Sequence, residues 1–222
     1  MRDIRFAKDI TVGHDDALIV VDLQPDFMPG GKLPVSGGDQ IVSGINRCLP
    51  LFRTVVATQD WHPKDHRSFA ATHPGKKPYD LYDAPGLGPV LWPDHCVQGT
   101  PGARLHPDFE SDRATLILRK GYQRDIDSYS VLMENDMTTE TGLSGYLRNK
   151  NIRRVFLSGL ALDYCVFYSA KDAVTMGFKA VVIYDLSRPV ASPPGHLEES
   201  LKTMEDAGVI FAVSDAIKRA AP

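Results

Sequence analysis

Three side chains of different chemistry stand just beyond three apolar runs. Asp22 follows 17–21, Lys120 follows 114–118, and Cys165 comes shortly after 155–157. A carboxylate, an ammonium and a thiol brought to one crevice supply a proton acceptor, a tuning charge and a nucleophile. The cysteine sits where a helix should begin. Ser158-Gly159 closes the apolar run, and Asp163 is expected to cap a helix whose first turn holds Cys165. Unpaired N–H groups and the positive helix end there favour thiolate over thiol. Singly, each residue has a plainer use as a buried small thiol, a turn cap or a solvated lysine. Their shared placement at strand ends gives the set its weight.

A second set has ligand chemistry. Asp60 and His62 are two residues apart at the end of the run 54–58, so both point the same way. His95, in Trp92-Pro-Asp-His-Cys96, could complete a facial nitrogen and oxygen set. Such a set suits one divalent ion, with Zn first and Fe or Mn as alternatives, and leaves positions open to water or substrate. His66 and Ser68 are near enough in sequence to offer a fourth ligand. Cys96 reads as a buried structural thiol, because adjacent residues rarely aim at one ion, and Cys48 on a helix face reads the same way.

The elements that must position these groups alternate. Apolar runs at 17–21, 54–58, 114–118, 155–157, 178–184 and 209–212 predict six strands, and helical spacing predicts helices over 39–51, 138–150, from Cys165 onward, 195–207 and at the C-terminus. Near-continuous apolar strands alternating with helices imply an α/β fold: a six-stranded, mostly parallel sheet with helices on both faces. Ligands bind such sheets at the carboxyl ends of the strands, where the strand order reverses. We expect one domain over 1–222, with a long ordered loop excursion at about 63–112 rich in Pro, Gly, His and Tyr. The net charge of −3, with no basic block, argues against nucleic acid, and no apolar stretch is long enough to span a bilayer. Three cysteines without disulfide spacing suit a reducing cytoplasm.

The strings Asp22-Leu-Gln-Pro-Asp-Phe27, Gln59-Asp-Trp-His-Pro63, Trp92-Pro-Asp-His-Cys-Val-Gln-Gly-Thr100, Lys120-Gly121 and Gly159-Leu-Ala-Leu-Asp-Tyr-Cys-Val166 resemble those of the nicotinamidases. These are a branch of the isochorismatase-like cysteine hydrolases. The motifs spread from residue 17 to about 190 in the family's order. The resemblance implies a catalytic triad of Asp22, Lys120 and Cys165 and metal ligands Asp60, His62 and His95. It further implies that Phe27 and Trp92 sandwich a pyridine ring. Ala161, preceded by a cis peptide, would share an oxyanion hole with Cys165. The segment from Gly121 to Tyr129 is longer than in some small bacterial members, and Tyr129 is a candidate secondary substrate contact. The implied reaction converts nicotinamide to nicotinate and ammonia in NAD salvage, through a Cys thioester. Pyridine carboxamides are the implied ligands, and a homo-oligomer is left open. The alternatives are a metal-free cysteine hydrolase of the same superfamily acting on a carbamoyl or ureido acid, and a non-catalytic binding module on this fold.

Overall fold

The computed structural model describes residues 4–219. In chain order the strands are β1 (Phe6–Ala7), β2 (Ile10–Val12), β3 (Asp16–Val21), β4 (Thr54–Asp60), β5 (Leu116–Lys120), β6 (Arg154–Leu160), β7 (Lys179–Arg188), β8 (Ile210–Ala212) and β9 (Ile217–Arg219). The helices are α1 (Val42–Cys48), α2 (Leu143–Asn149), α3 (Cys165–Thr175) and α4 (His196–Asp206). The main sheet is parallel throughout, in the order β1-β8-β7-β6-β3-β4-β5.

Strand β3 is buried at every residue, which is why it reads as an unbroken apolar run instead of an alternating one. Its side chains part to two cores. Leu18 and Val20 join Ile41, Ile45 and Leu49 from the α1 region on one face. Ala17, Ile19 and Val21 join Leu143, Val166, Ala170 and Leu201 from α2, α3 and α4 on the other. The period of two in the strand thus supplies both faces with apolar surface, and helices cover each.

Two sequence expectations change. The sheet has seven strands rather than six, because Phe6–Ala7 pairs beside β8 at the edge. The C-terminal helix is a single turn at Ser214–Ala216, followed by β9, which pairs in parallel with β2. Burial of Ile10, Val12 and Ile217 in that small second sheet outweighs local helical preference. Between β4 and β5, the segment 63–112 carries three short 3-10 turns and isolated bridges joining Phe69 to Trp92 and Leu81 to Val90.

The strand order reverses at β3, with β4 on one side and β6 on the other. Asp22 immediately follows β3, Asp60 and Lys120 are the last residues of β4 and β5, and Cys165 opens α3 after β6. Gly159 shapes the end of β6. It has φ +116°, and a Cβ there would lie 2.1 Å from the Val21 carbonyl oxygen, so only glycine lets β6 run this close to β3.

Candidate functional site

Lys120 is the hub of a buried cluster. Its ammonium stands 2.9 Å from Asp22 Oδ2 and 3.4 Å from Cys165 Sγ, donates to the Ser128 carbonyl at 2.8 Å, and is paired with Asp60 Oδ1. Asp22 and Lys120 are fully buried and Cys165 nearly so. Ligand atoms of Asp22, Asp60 and Cys165 all lie within 4.8 Å of one another. Thr58 donates its hydroxyl to Asp22 Oδ1 at 2.6 Å, whereas Asp22 Oδ2 receives no well-aligned hydrogen bond despite its proximity to Lys120.

The charges settle unevenly. Burial raises the Asp22 carboxyl, nearby Asp60 adds to this, and Lys120 only partly opposes it. Burial would also raise Asp60, but Lys120 and then His62 outweigh it and hold that carboxyl well below the usual range. For Lys120 the order is the same: burial disfavours its charge, while Asp22, Asp60 and Cys165 overcome this and keep it protonated. Burial pushes the Cys165 thiol well up against the pull of Lys120. Burial thus opposes the thiolate that the start of α3 was expected to favour. Asp163 does not cap α3 either. The N-cap is Tyr164, and Asp163 instead accepts the Val190 and Ala191 N–H groups at 2.9 and 2.8 Å, fastening the 190–191 loop beside the cleft.

Asp60 also meets the histidines. Its Oδ2 is 3.6 Å from His62 Nε2 and 3.8 Å from His95 Nε2. The opposite nitrogens are occupied, His62 Nδ1 by the Gly121 carbonyl and His95 Nδ1 by the Pro93 carbonyl, both at 2.8 Å. With each Nδ1 held by a carbonyl, Nε2 is the nitrogen that both rings turn toward Asp60 Oδ2. A carbonyl on Nδ1 fixes each ring and leaves Nε2 for a ligand, and the donor set Asp60, His62 and His95 fits a divalent ion. His66 packs on His62, with ring centroids 4.4 Å apart, but its nitrogens have other partners. Its Nδ1 lies 2.7 Å from Ser68 Oγ and its Nε2 points to the Ile126 carbonyl at 3.3 Å.

Phe27, Trp92, Tyr129, Ala161, Tyr164, Asp127 and Val190 line the cleft together with Asp60, His62, His95 and Cys165. Trp92 Nε1 donates to the Tyr129 hydroxyl at 2.9 Å, and the Trp92 and Tyr164 rings meet edge to face at 4.8 Å. The Leu160–Ala161 peptide is cis. Free space in the cleft is only about 20 Å³, close to one water.

Other residues here were not singled out from sequence. Gln24 clamps the Asp60 backbone, donating from Nε2 to its carbonyl at 2.9 Å and accepting its N–H through Oε1 at 2.8 Å. Asp26 Oδ2 accepts the Cys96 N–H at 2.7 Å and so braces the turn after His95, where Cys96 has φ +47°. Both lie within the string 22–27, but an amide or carboxylate inside a Pro-containing turn carries no signal of its partner. Asp127 is buried, with Oδ1 accepting the Ser128 N–H and Oδ2 unpartnered.

An isochorismatase domain matches residues 16–215. A nicotinamidase from Acinetobacter baylyi is 48% identical over 193 residues, covering 87% of this chain and 90% of that protein. This chain belongs to the isochorismatase family, in its nicotinamidase branch. The structure of a nicotinamidase and pyrazinamidase from Acinetobacter baumanii superposes with a TM-score of 0.89 at 47% identity, covering 91% of this chain and 98% of that one. A pyrazinamidase of Pyrococcus horikoshii, solved in complex with zinc, gives a TM-score of 0.71 at 35% identity over 90% and 99% of the two chains.

Proposed function

We propose that this protein is an amidohydrolase that converts nicotinamide to nicotinate and ammonia, with Cys165 as nucleophile. The observation that carries the reading is the meeting of Cys165, Lys120 and Asp22 beside an Asp60, His62 and His95 donor set in one aromatic cleft. Nicotinamidase relatives at high identity and coverage support the substrate.

Cys165 Sγ attacks the carboxamide carbon while Asp22 accepts the thiol proton. A carboxyl raised by burial is a stronger base than an exposed one, which suits that transfer. The tetrahedral adduct places its oxyanion at the N–H groups of Ala161 and Cys165. Its collapse breaks the C–N bond, and the proton held by Asp22 leaves with ammonia. Water, deprotonated by Asp22, then cleaves the thioester to give nicotinate, and the proton returns to the thiol. Lys120 stays charged throughout and offsets the negative charge passed between Asp22 and Cys165.

Asp60, His62 and His95 would hold one divalent ion, zinc on the precedent of the Pyrococcus pyrazinamidase. When bound, such an ion supplies a Lewis acid for the pyridine nitrogen. Phe27 and Trp92 fix the ring plane, and Tyr129 holds Trp92 in place through its hydroxyl. The three cysteines are free thiols, which suits a reducing cytoplasm.

Incubation of the purified protein with nicotinamide, with ammonia measured enzymatically, tests the reading. Ammonia release lost in Cys165→Ala supports it. Cleavage of carbamoyl acids alone, unaffected by chelation, would instead support a metal-free hydrolase.

A further inference from the structure

Thr58 carries a hydroxyl at a fully buried position of β4, three residues beyond Val55. Valine would fill the same space there with the same branched shape. A buried hydroxyl is costly unless its hydrogen bonds are made, and both that Thr58 makes go to one residue. Its Oγ1 donates to Asp22 Oδ1 at 2.6 Å and accepts the Asp22 N–H at 3.2 Å. The single hydroxyl proton is committed to the carboxylate, so a lone pair meets the N–H and the group has one orientation.

Asp22 is a residue that needs holding. It lies just past the end of β3 with φ +48°, a left-handed backbone uncommon outside glycine. The last torsion of an aspartate side chain is broad, so the backbone alone does not fix the plane of its carboxylate. Thr58 takes Oδ1 and the Lys120 ammonium stands 2.9 Å from Oδ2, which grips that plane from both sides. The two grips differ in kind. Lys120 also contacts Asp60, Cys165 and the Ser128 carbonyl, whereas the Thr58 hydroxyl is turned to Asp22 alone among the described residues. Ligand atoms of Asp22 and Cys165 lie within 4.8 Å of each other, so a small swing of the carboxylate alters the path of the thiol proton.

We infer that Thr58 is a positioning residue for proton transfer, its hydroxyl fixing the Asp22 carboxylate where it can reach the Cys165 thiol. The inference rests on the proposed role of Asp22 as proton acceptor.

Thr58→Val and Thr58→Ser test it, with far-ultraviolet circular dichroism checking that each is folded. In Thr58→Val we expect kcat for ammonia release from nicotinamide to fall by about tenfold to a hundredfold, the scale of a misplaced catalytic group. KM should stay within roughly twofold, and Thr58→Ser should restore most of kcat. A second readout needs no amide substrate: the rate at which iodoacetamide alkylates Cys165, located by mass spectrometry. That rate should drop in Thr58→Val, and it should drop no further when Thr58→Val is added to Asp22→Asn. A parental kcat in Thr58→Val would overturn the inference, as would an equal loss in Thr58→Ser, which would trace the effect to packing. Further slowing of alkylation in the Asp22→Asn background would overturn it too, since Thr58 would then act on something other than Asp22. If the parent protein releases no ammonia, amide hydrolysis fails while the alkylation comparison still decides the role of Thr58. If ammonia is released and the alkylation pattern is absent, only the inference falls.

Discussion

Asp60 and Lys120 end neighbouring strands as register partners, and the ammonium of one is paired with the carboxylate of the other at the rim of the sheet. Through Asp60, the cation that touches Cys165 is tied to the group facing His62 and His95. The nucleophile and the donor set therefore share one electrostatic element, and a change in either is felt by both.

Replacing Lys120 by Met leaves two buried carboxylates without their cation. Breaking a buried pair in this way costs about 3–5 kcal/mol. Urea denaturation should show that loss, and Asp22→Asn added to Lys120→Met should recover part of it. If the two losses simply add, Asp22 and Lys120 are not coupled.

Asp22→Asn keeps the shape but removes the proton acceptor. We expect kcat for ammonia release to fall by about 10²–10⁴, the usual contribution of a general base, with little change in KM. A variant that keeps near-normal kcat would require another base for the Cys165 thiol, which burial keeps protonated.

The chain made some of this legible and hid the rest for definite reasons. Asp22, Asp60, Lys120 and Cys165 could be read because apolar runs buried on both faces announce their own ends, and parallel strands bring those ends to one edge. Residues 6–7 and 217–219 could not, because strands of two or three residues carry no periodicity and form only where the rest of the fold offers an edge. The same holds for side chains whose partners are distant in sequence. Gln24 finds Asp60 across 36 residues, and Asp26 finds Cys96 across 70. The start of α3 beside Cys165 is visible in the sequence, whereas the depth of burial that raises its thiol is not.

Gly121 permits the close approach of His62. It has φ +60°, and a Cβ there would sit 2.5 Å from His62 Cε1. Gly121→Ala must therefore shift the imidazole, whose Nδ1 is held by the Gly121 carbonyl. We expect weaker metal binding, by about tenfold or more, read by chelator competition on the purified protein. Unchanged metal affinity would mean that His62 is not a ligand.

Asp127 offers an unpartnered buried oxygen on the cleft wall, and its carboxylate lies within 4.8 Å of ligand atoms of both His62 and His66. A carboxylate so placed steadies a nearby cation. Asp127→Asn should lower metal affinity about tenfold while leaving the far-ultraviolet circular dichroism unchanged. Equal affinity in the two proteins would confine Asp127 to a role in the loop.

His66 gives the fold an acid-sensitive point. Burial, reinforced by the neighbouring His62, depresses its pKa from 6.5 to about 4. The unfolded chain takes up this proton near pH 6.5, whereas the folded chain resists it until about pH 4. Stability is thus fully present above pH 6.5 and declines as pH falls toward 4, by about 3 kcal/mol at roughly 1.4 kcal/mol for each unit of depression. Below pH 4 both states carry the proton, and this contribution becomes flat. His66→Gln removes the titrating group, so its stability measured by denaturant between pH 7 and pH 4 should fall less steeply than that of the parent protein. Parallel curves would place the acid sensitivity elsewhere and leave His66 as a neutral hydrogen-bonding partner of Ser68 and Ile126 only.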